Sequence, residues 1–505
     1  MLRIKLRAYC LELTAKSFMS KKDIFIGFLI LIALIGFLNK DFLLEELPTK
    51  IFGPHRYEKN PLNITLNTPA TDLSPYSLNL NNQIRTANIY EGLVAFDRNL
   101  RVIPALAVSW GNLDPQTWEF KLRKEVQFHD GSPFDADSVL TDFNEAQKSG
   151  GSQIKGVLNT IKEIKKLDSY TIQIITKEPD PLILSKLTKF YINKPDSVGT
   201  GPYELQEWLK GSKFTLLAFD NYWGRLPIYQ NVNYQVVPNK TRRQSDFEAG
   251  LIDILVAVPR DQALQLPKEQ VKTSYSLEVN FLMFKLDDPL LSERSVREAI
   301  QTIFDPVEIE EIGNNFVRRV SQFVAPGVYG FNPSIPAFEF SEENRAKDLF
   351  GQQRKKITLD YLGTYRTLVD YLEKQLKDAG FAVSANAMEP EEFLEKIKNN
   401  ESQLFVLGWQ AENGDAGDFL EAFIRSEGEF NNGRYKNAFV DKLIEKSHQE
   451  LSPEVRLQLL QQIIELVYKD LIGIPLFESS RLYAVKKGIE WEPRLDGLVL
   501  ATDVK

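Results

Sequence analysis

LFVLGWQAENGDAGDFL, Leu404 to Leu420, begins as a buried strand and ends as a cluster of acids. Leu404 to Gly408 is a short apolar run of strand length, and the residues after Trp409 bring Glu412, Asp415, Asp418 and two glycines. Working outward, the preceding sequence alternates two periods. ITLDYL (Ile357–Leu362) has strand character; Thr367–Asp378 places Leu368, Leu372 and Leu376 on one helical face before Gly380; FAVSAN, EPEEFLEKIKNN and QLFVLG follow as strand, helix and strand. Strand–helix–strand–helix–strand predicts an α/β fold with a parallel sheet and right-handed crossovers. In such sheets ligands sit off the carboxyl ends of strands. Trp409 to Asp418 occupies that position.

Other segments carry local signals. TWEFKLRKEVQF (Thr117–Phe128) and YTIQIITKEPDP (Tyr170–Pro181) alternate as strands, and Asp135 is placed to cap a helix over DADSVLTDF. Gly201–Phe219 predicts a hairpin turning at Lys210-Gly211. Asp305-Pro306-Val307-Glu308 is a helix start, and Ser452-Pro453 opens a long helix with Val455, Leu459, Ile463 and Val467 on its core face.

The chain of 505 residues is long enough for two or three domains, and its 43% hydrophobic and 26% charged content is that of a globular protein. Its net charge of -8 is uneven: residues 1–22 carry +5, leaving an acidic body that argues against nucleic acid as a partner. The single cysteine, Cys10, excludes an intrachain disulfide. Ile24 to Leu38 is an uncharged apolar run of about 22 Å as a helix, short of the ~30 Å hydrocarbon core. With the basic leader before it and no small-residue cleavage site after it, it reads as an uncleaved signal-anchor that leaves the body on the side of the membrane away from the cytoplasm. The alternative is a cleaved signal.

Chemistry at the acidic cluster has four readings. Its spacing fits no EF-hand loop, and His55, His129 and His448 are too dispersed for a transition-metal site, so no metal and no cofactor is expected. A catalytic carboxylate pair requires two acids at a defined separation, and nothing in the sequence singles one out, so no catalytic residue is expected. The acids could equally be solvated loop residues beside a packing tryptophan. The last reading is a carboxylate receiving a cationic ligand group, with the Trp409 indole as an apolar wall.

Several motifs together resemble the bacterial extracytoplasmic solute-binding proteins of family 5, which serve peptide, dipeptide and nickel importers. They are IYEGLVAFDRNLRVIPALAVSW (Ile89–Trp110), WEFKLRKEVQFHDGSPFDADSV (Trp118–Val139) and VGTGPYELQEWLKGSKFTLLAFDNYW (Val198–Trp223). FEAGLIDI, SVREAIQTIFD, LGWQAENGDAGDFL and IPLFES follow in family order, and the resemblance spans about residues 62–505. It implies a periplasmic-binding-protein-like type II fold: two lobes joined by a hinge, with an extra small domain. The implied partition is 1–23 basic leader, 24–38 anchor, 39–61 tether, 62–94, 196–277 and 475–505 as lobe I, 95–195 as the small domain and 278–474 as lobe II. The chain would cross between lobes near Tyr275–Met283 and Ile474–Arg481.

The resemblance also implies a short peptide or other small solute as ligand, and an ABC permease with its ATPase subunits as partners. Glu412 falls where a carboxylate holds the ligand's α-ammonium, with Trp409, Gln410 and Asp415 nearby. SLNLN (Ser77–Asn81), centred on Leu80, matches a ligand-facing strand from the other lobe. The family's usual aspartate is a glutamate at Glu412, one methylene longer. Pro306 replaces a common arginine and Ser138 a common acid, both at positions that read as structural. A sensing or adaptor protein of the same fold is the first alternative function, and an envelope hydrolase the second.

Overall fold

The computed structural model describes residues 57–505 except 59, 150, 315, 342–352 and 412. The leader, the apolar run Ile24–Leu38 and the tether up to residue 56 lie outside the described residues, as does Glu412. Among the described residues no helix is long and apolar enough to cross a membrane. Residues 58–223 and 227–505 form one compact unit.

The unit is built on one large mixed sheet. Its strands run in the order Tyr203–Leu209, Lys213–Ala218, Asn231–Val236, Leu62–Leu66, Ile254–Val256, Gly473–Val485, Val271–Phe284, Leu404–Gln410, Lys356–Leu362 and Ala382–Met388, with Val317–Arg319 added beside Gly473–Val485. The expected parallel segment is present: Lys356–Leu362 pairs in parallel with both Ala382–Met388 and Leu404–Gln410. Helices Arg366–Asp378 and Pro390–Lys398 make the crossovers, and Leu368, Leu372 and Leu376 are buried as the 3.6-residue spacing requires. Leu404, Phe405 and Val406 are all buried, because helices and loops cover both faces of this part of the sheet.

Period-two alternation divides the core. In Val271–Phe284, Phe281 and Met283 join Phe405, Phe419, Leu460 and Ile463 on one face. Leu282 and Phe284 join Val406, Ile357, Leu372 and Leu376 on the other. A separate four-stranded antiparallel sheet (Ala107–Asp114, Thr117–Leu122, Thr171–Thr176, Ile161–Asp168) has its own core around Phe120, Phe128, Ile172 and Ile174.

Local signals are met at atomic detail. Asp135 accepts the Ser138 N–H at the start of helix Ala136–Ser149. Tyr203–Leu209 and Lys213–Ala218 form the hairpin, with Gly211 at φ +82°. Asp305 caps helix Pro306–Ile312 by accepting from Val307 N–H, but Glu308 does not close a reciprocal box: the Tyr371 hydroxyl already takes the Asp305 N–H. Two expectations are overturned. Ser77–Asn81 is not a strand; Asn79 accepts from the Asn81 and Asn82 N–H groups and caps helix Leu80–Thr86, because an asparagine with free helical donors ahead of it is a cap. In helix Pro453–Asp470, Val455 is exposed while Leu459, Leu460, Ile463, Ile464 and Val467 are buried, since the apolar stripe starts one turn later.

Two long strands, Val271–Phe284 and Gly473–Val485, pair antiparallel at the centre of the sheet and include both expected crossing segments. Their register breaks between Tyr275 and Val279, where Leu277 takes φ +60°. The break is built in: the Leu277 N–H leaves the ladder and donates to Glu478 Oε1 at 3.1 Å. Glu478, fully buried, is ion-paired with Arg318, whose guanidinium lies 3.9 Å from the Tyr275 ring centre.

Candidate ligand-binding cleft

A cleft of about 490 Å³ opens where this register break meets residues of five stretches, 78–91, 92–105, 188–191, 410–411 and 494–502. Three of these stretches are fixed by identifiable causes. The Asn79 cap sets Leu80 at the helix start, facing the cleft and packed 3.2 Å from where a Cβ would sit on Gly497. Gly497 has φ +78°, so a side chain there is excluded twice over. Gln410 ends its strand opposite Glu278, and the next N–H, that of Ala411, donates to the Leu277 carbonyl at 3.2 Å. The ladder with Lys356–Leu362 stops at Val406, so Leu407–Gln410 leave that second edge outside it.

Of the residues expected at a ligand, the structure brings Leu80 and Gln410 to one cleft. Trp409, adjacent in the strand, points to the opposite face and packs against Phe423 (ring centres 5.0 Å), Phe419 and Phe430. Its indole N–H is buried with no hydrogen-bond partner. Asp415 is turned away as well: its two oxygens accept from Arg456 at 2.5 and 2.8 Å, and Oδ1 also accepts the Gly417 N–H at 2.7 Å. It is a buried structural carboxylate and does not line the cleft. Asp418 accepts from Asn413 Nδ2. Burial raises its pKa, while the Asn413 hydrogen bond and the Lys189 and Lys186 ammonium groups pull it down.

Sequence reasoning missed four features of this cleft. Glu91, of the EGL motif, lines it and accepts from Tyr222 OH (2.8 Å), Trp223 Nε1 (2.8 Å) and Thr200 Oγ1 (2.9 Å). Burial pushes its carboxyl up to about 7 against those three donors. Nearby, the GTGP backbone packs onto the Ile89 carbonyl, which lies 2.0 Å from where a Gly199 Cβ would be; only glycine fits. His129 locks this turn, accepting the Gly199 N–H at Nδ1 (3.2 Å) with Nε2 3.0 Å from the Gly201 carbonyl. The second missed feature is Arg494-Leu495-Asp496 with Leu498 and Leu500, and the third is Lys189. The fourth is Leu100, whose Cδ1 sits 3.1 Å from the Cβ position of Gly414, so the 97–101 turn touches the loop after Ala411. Only the EGL and GTGPY patterns carried a readable signal. Among the described residues no cluster of three His, Cys, Asp or Glu side chains is placed to hold a metal ion.

Comparison with known proteins places this architecture. Residues 101–431 match the profile "Bacterial extracellular solute-binding proteins, family 5 Middle". The chain is similar to the dipeptide-binding protein of Escherichia coli K12, 25% identical over 386 residues, covering 66% of this chain and 72% of that one. Among solved structures it superposes on the unliganded open form of MppA, a periplasmic murein tripeptide binding protein, with TM-score 0.80 at 18% identity, covering 88% and 97% of the two chains. NikA from Brucella suis in complex with Fe(III)-EDTA gives TM-score 0.77 at 20% identity, covering 88% and 99%. The shared fold is α/β, of the periplasmic-binding-protein type II.

Proposed function

Since the chain belongs to family 5 of the bacterial extracellular solute-binding proteins, it is a substrate-binding protein, and we propose that it binds short peptides between two lobes and delivers them to an ABC permease. The observation that carries the peptide reading is the edge of Leu407–Gln410 left outside the ladder beside Gln410 and Ala411 in the cleft wall. An extended ligand can add there as a strand, gaining main-chain hydrogen bonds that do not read side chains. Glu412, next along the chain, would receive the ligand's α-ammonium. Peptide binders occur among the relatives, with a dipeptide-binding protein and a DppA from Helicobacter pylori in complex with the peptide STSA, beside a nickel-binding and a heme-binding protein.

The lobes would be residues 62–94, 196–277 and 475–505 against 278–474, hinged at the two long central strands, with 95–195 as the small domain. Its separate sheet and core support that boundary. The apolar run Ile24–Leu38 would tether the body to the outer face of the cytoplasmic membrane, and the protein would turn over no substrate. Calorimetry tests the anchor. A charge-assisted hydrogen bond contributes about 1.5–3 kcal/mol. Glu412→Gln should therefore weaken peptides with a free amino terminus by about ten- to a hundred-fold and leave N-acetylated peptides nearly unchanged. Equal losses for both would remove Glu412 from the site.

A further inference from the structure

Resting on that reading, we infer that the cleft selects its peptide by apolar side chains and is indifferent to the ligand's terminal carboxylate. The charged side chains lining the described cleft are Glu91, Lys189, Arg494 and Asp496, and each is already answered from within the protein. Arg494 is the cation best shaped for a carboxylate, since a guanidinium presents a planar fork of donors. That fork is occupied. Nε donates to both Asp496 oxygens at 3.0 and 3.1 Å, Nη2 donates to Asp496 Oδ2 and to the Phe96 carbonyl, both at 2.7 Å, and Asp503 lies 3.6 Å from Nη1. Asp496 in turn accepts the Leu498 N–H at 3.0 Å, which fixes the turn bearing the pair. Arg494 is itself buried, so a ligand carboxylate would have to displace Asp496 to reach it.

Lys189 lies close enough to the buried Asp418 for its charge to favour the carboxylate form. Glu91 repels a carboxylate when ionised, and its two oxygens already accept from three donors of the protein. Among the described residues, an anionic ligand terminus entering here would lose water and meet only cations that already have partners in the protein, which is the costly case for a buried charge. The wall, by contrast, is rich in half-buried and buried leucine: Leu78, Leu80, Leu277, Leu495, Leu498 and Leu500 all face the space. Apolar ligand side chains against these gain the transfer free energy of each buried group. The cleft therefore suits peptides bearing leucine-like side chains, with the carboxyl end amidated, extended into further residues, or held in solvent.

The test is calorimetry on the full-length chain with trileucine and triserine, each as free acid and as C-terminal amide. The expected result is that trileucine binds at least about tenfold more tightly than triserine. Acid and amide should agree within about threefold, any small preference going to the amide because the protein body is acidic. A free acid preferred about tenfold or more would overturn the inference, most directly if Lys189→Met abolished the preference. Trileucine and triserine of equal affinity would also overturn it. If neither peptide bound in either form, the peptide reading itself would fail and take this inference with it; binding with a free-acid preference, or without an apolar one, sinks the inference alone.

Discussion

Asp415 and Arg456 offer the sharpest check on how the loop beyond Gln410 is held. The two are 5% and 3% exposed, joined by two hydrogen bonds, and 41 residues apart in sequence. Arg456 also donates to the Ser447 carbonyl at 3.0 Å, so the pair ties the loop to two helices at once. Arg456→Met removes the cation and leaves a carboxylate without water or counter-charge; breaking one side of such a pair costs about 3–5 kcal/mol. Asp415→Asn keeps the shape and an acceptor for the Gly417 N–H yet strands the guanidinium, and should fall in the same range. Replacing both, Asp415→Leu with Arg456→Met, removes both desolvation penalties and should recover most of the loss. Since a chain of this size need not unfold in one step, native-state hydrogen exchange is the right assay, read over residues 413–424 and 453–460. Opening of these segments should rise by about two to three orders of magnitude in either single variant and return toward wild type in the double. Single variants that change exchange by less than about tenfold, or a double variant as labile as the singles, would show that the pair does not hold this loop.

Gly414→Ala should lower the thermal midpoint, because φ is +65° and the new methyl would meet Leu100 at 3.1 Å; the backbone part alone costs about 1–2 kcal/mol, and adding Leu100→Ala should relieve only the contact. Glu478→Leu should expose the register break, leaving the Leu277 N–H without its acceptor at a cost of about 1–3 kcal/mol, seen as faster exchange at residues 275–279 and not in the small four-stranded sheet. Asp142 accepts from Tyr76 OH and Asn193 Nδ2, both at 2.5 Å, and burial pushes its carboxyl up to about 7. A folded pKa above the unfolded value means stability is complete below the unfolded carboxylate pKa and is lost as pH rises through about 7. Asp142 should thus add about 1 kcal/mol between pH 8 and 6, and Asp142→Asn should flatten that part of the melting curve against pH. His129 works in the other direction: burial lowers its pKa, so stability should fall as pH drops below about 6.5, and His129→Asn should remove that acid sensitivity along with the Gly199 N–H anchor.

What the sequence made legible was set by neighbours in the chain. The run from Ile357 to Gly408 announced a parallel segment because helical and strand periods alternate cleanly within fifty residues, and the caps at Asp135, Asp305 and Ser452 are contacts over two or three residues. The acids after Trp409 were not separable by the same means. Asp415 and Asp418 share a loop, but Asp415 is claimed by Arg456 from a distant helix and Asp418 by Asn413, and neither partnership has a local signature. Trp409 and Gln410 are consecutive strand residues, so pleating alone prevents both from facing one cleft. Leu80 reaches the cleft from a helix start and not from a strand, and the local mark of that start is the Asn79 cap. The 494–502 segment carries no helix or strand period, and it reaches the cleft only because the Gly473–Val485 strand brings the chain back beside Val271–Phe284.

Leu277 shows why those two central strands matter to more than the core. Its carbonyl accepts the Ala411 N–H, its side chain lines the cleft, and its N–H is held by Glu478, which Arg318 in turn pins. Backbone at positive φ is unfavourable for leucine, and an isolated ladder would relax it into regular pairing. It persists because a fully buried carboxylate supplies the acceptor that the ladder no longer provides, so the buried N–H is not left unsatisfied at a cost of about 1–3 kcal/mol. The position at which the central strands slip register is therefore also the point where the Gln410–Ala411 wall is fastened. Any rotation between the two halves of the sheet about these strands would move that wall, because Leu277 fastens it through its carbonyl while Glu478 holds its N–H.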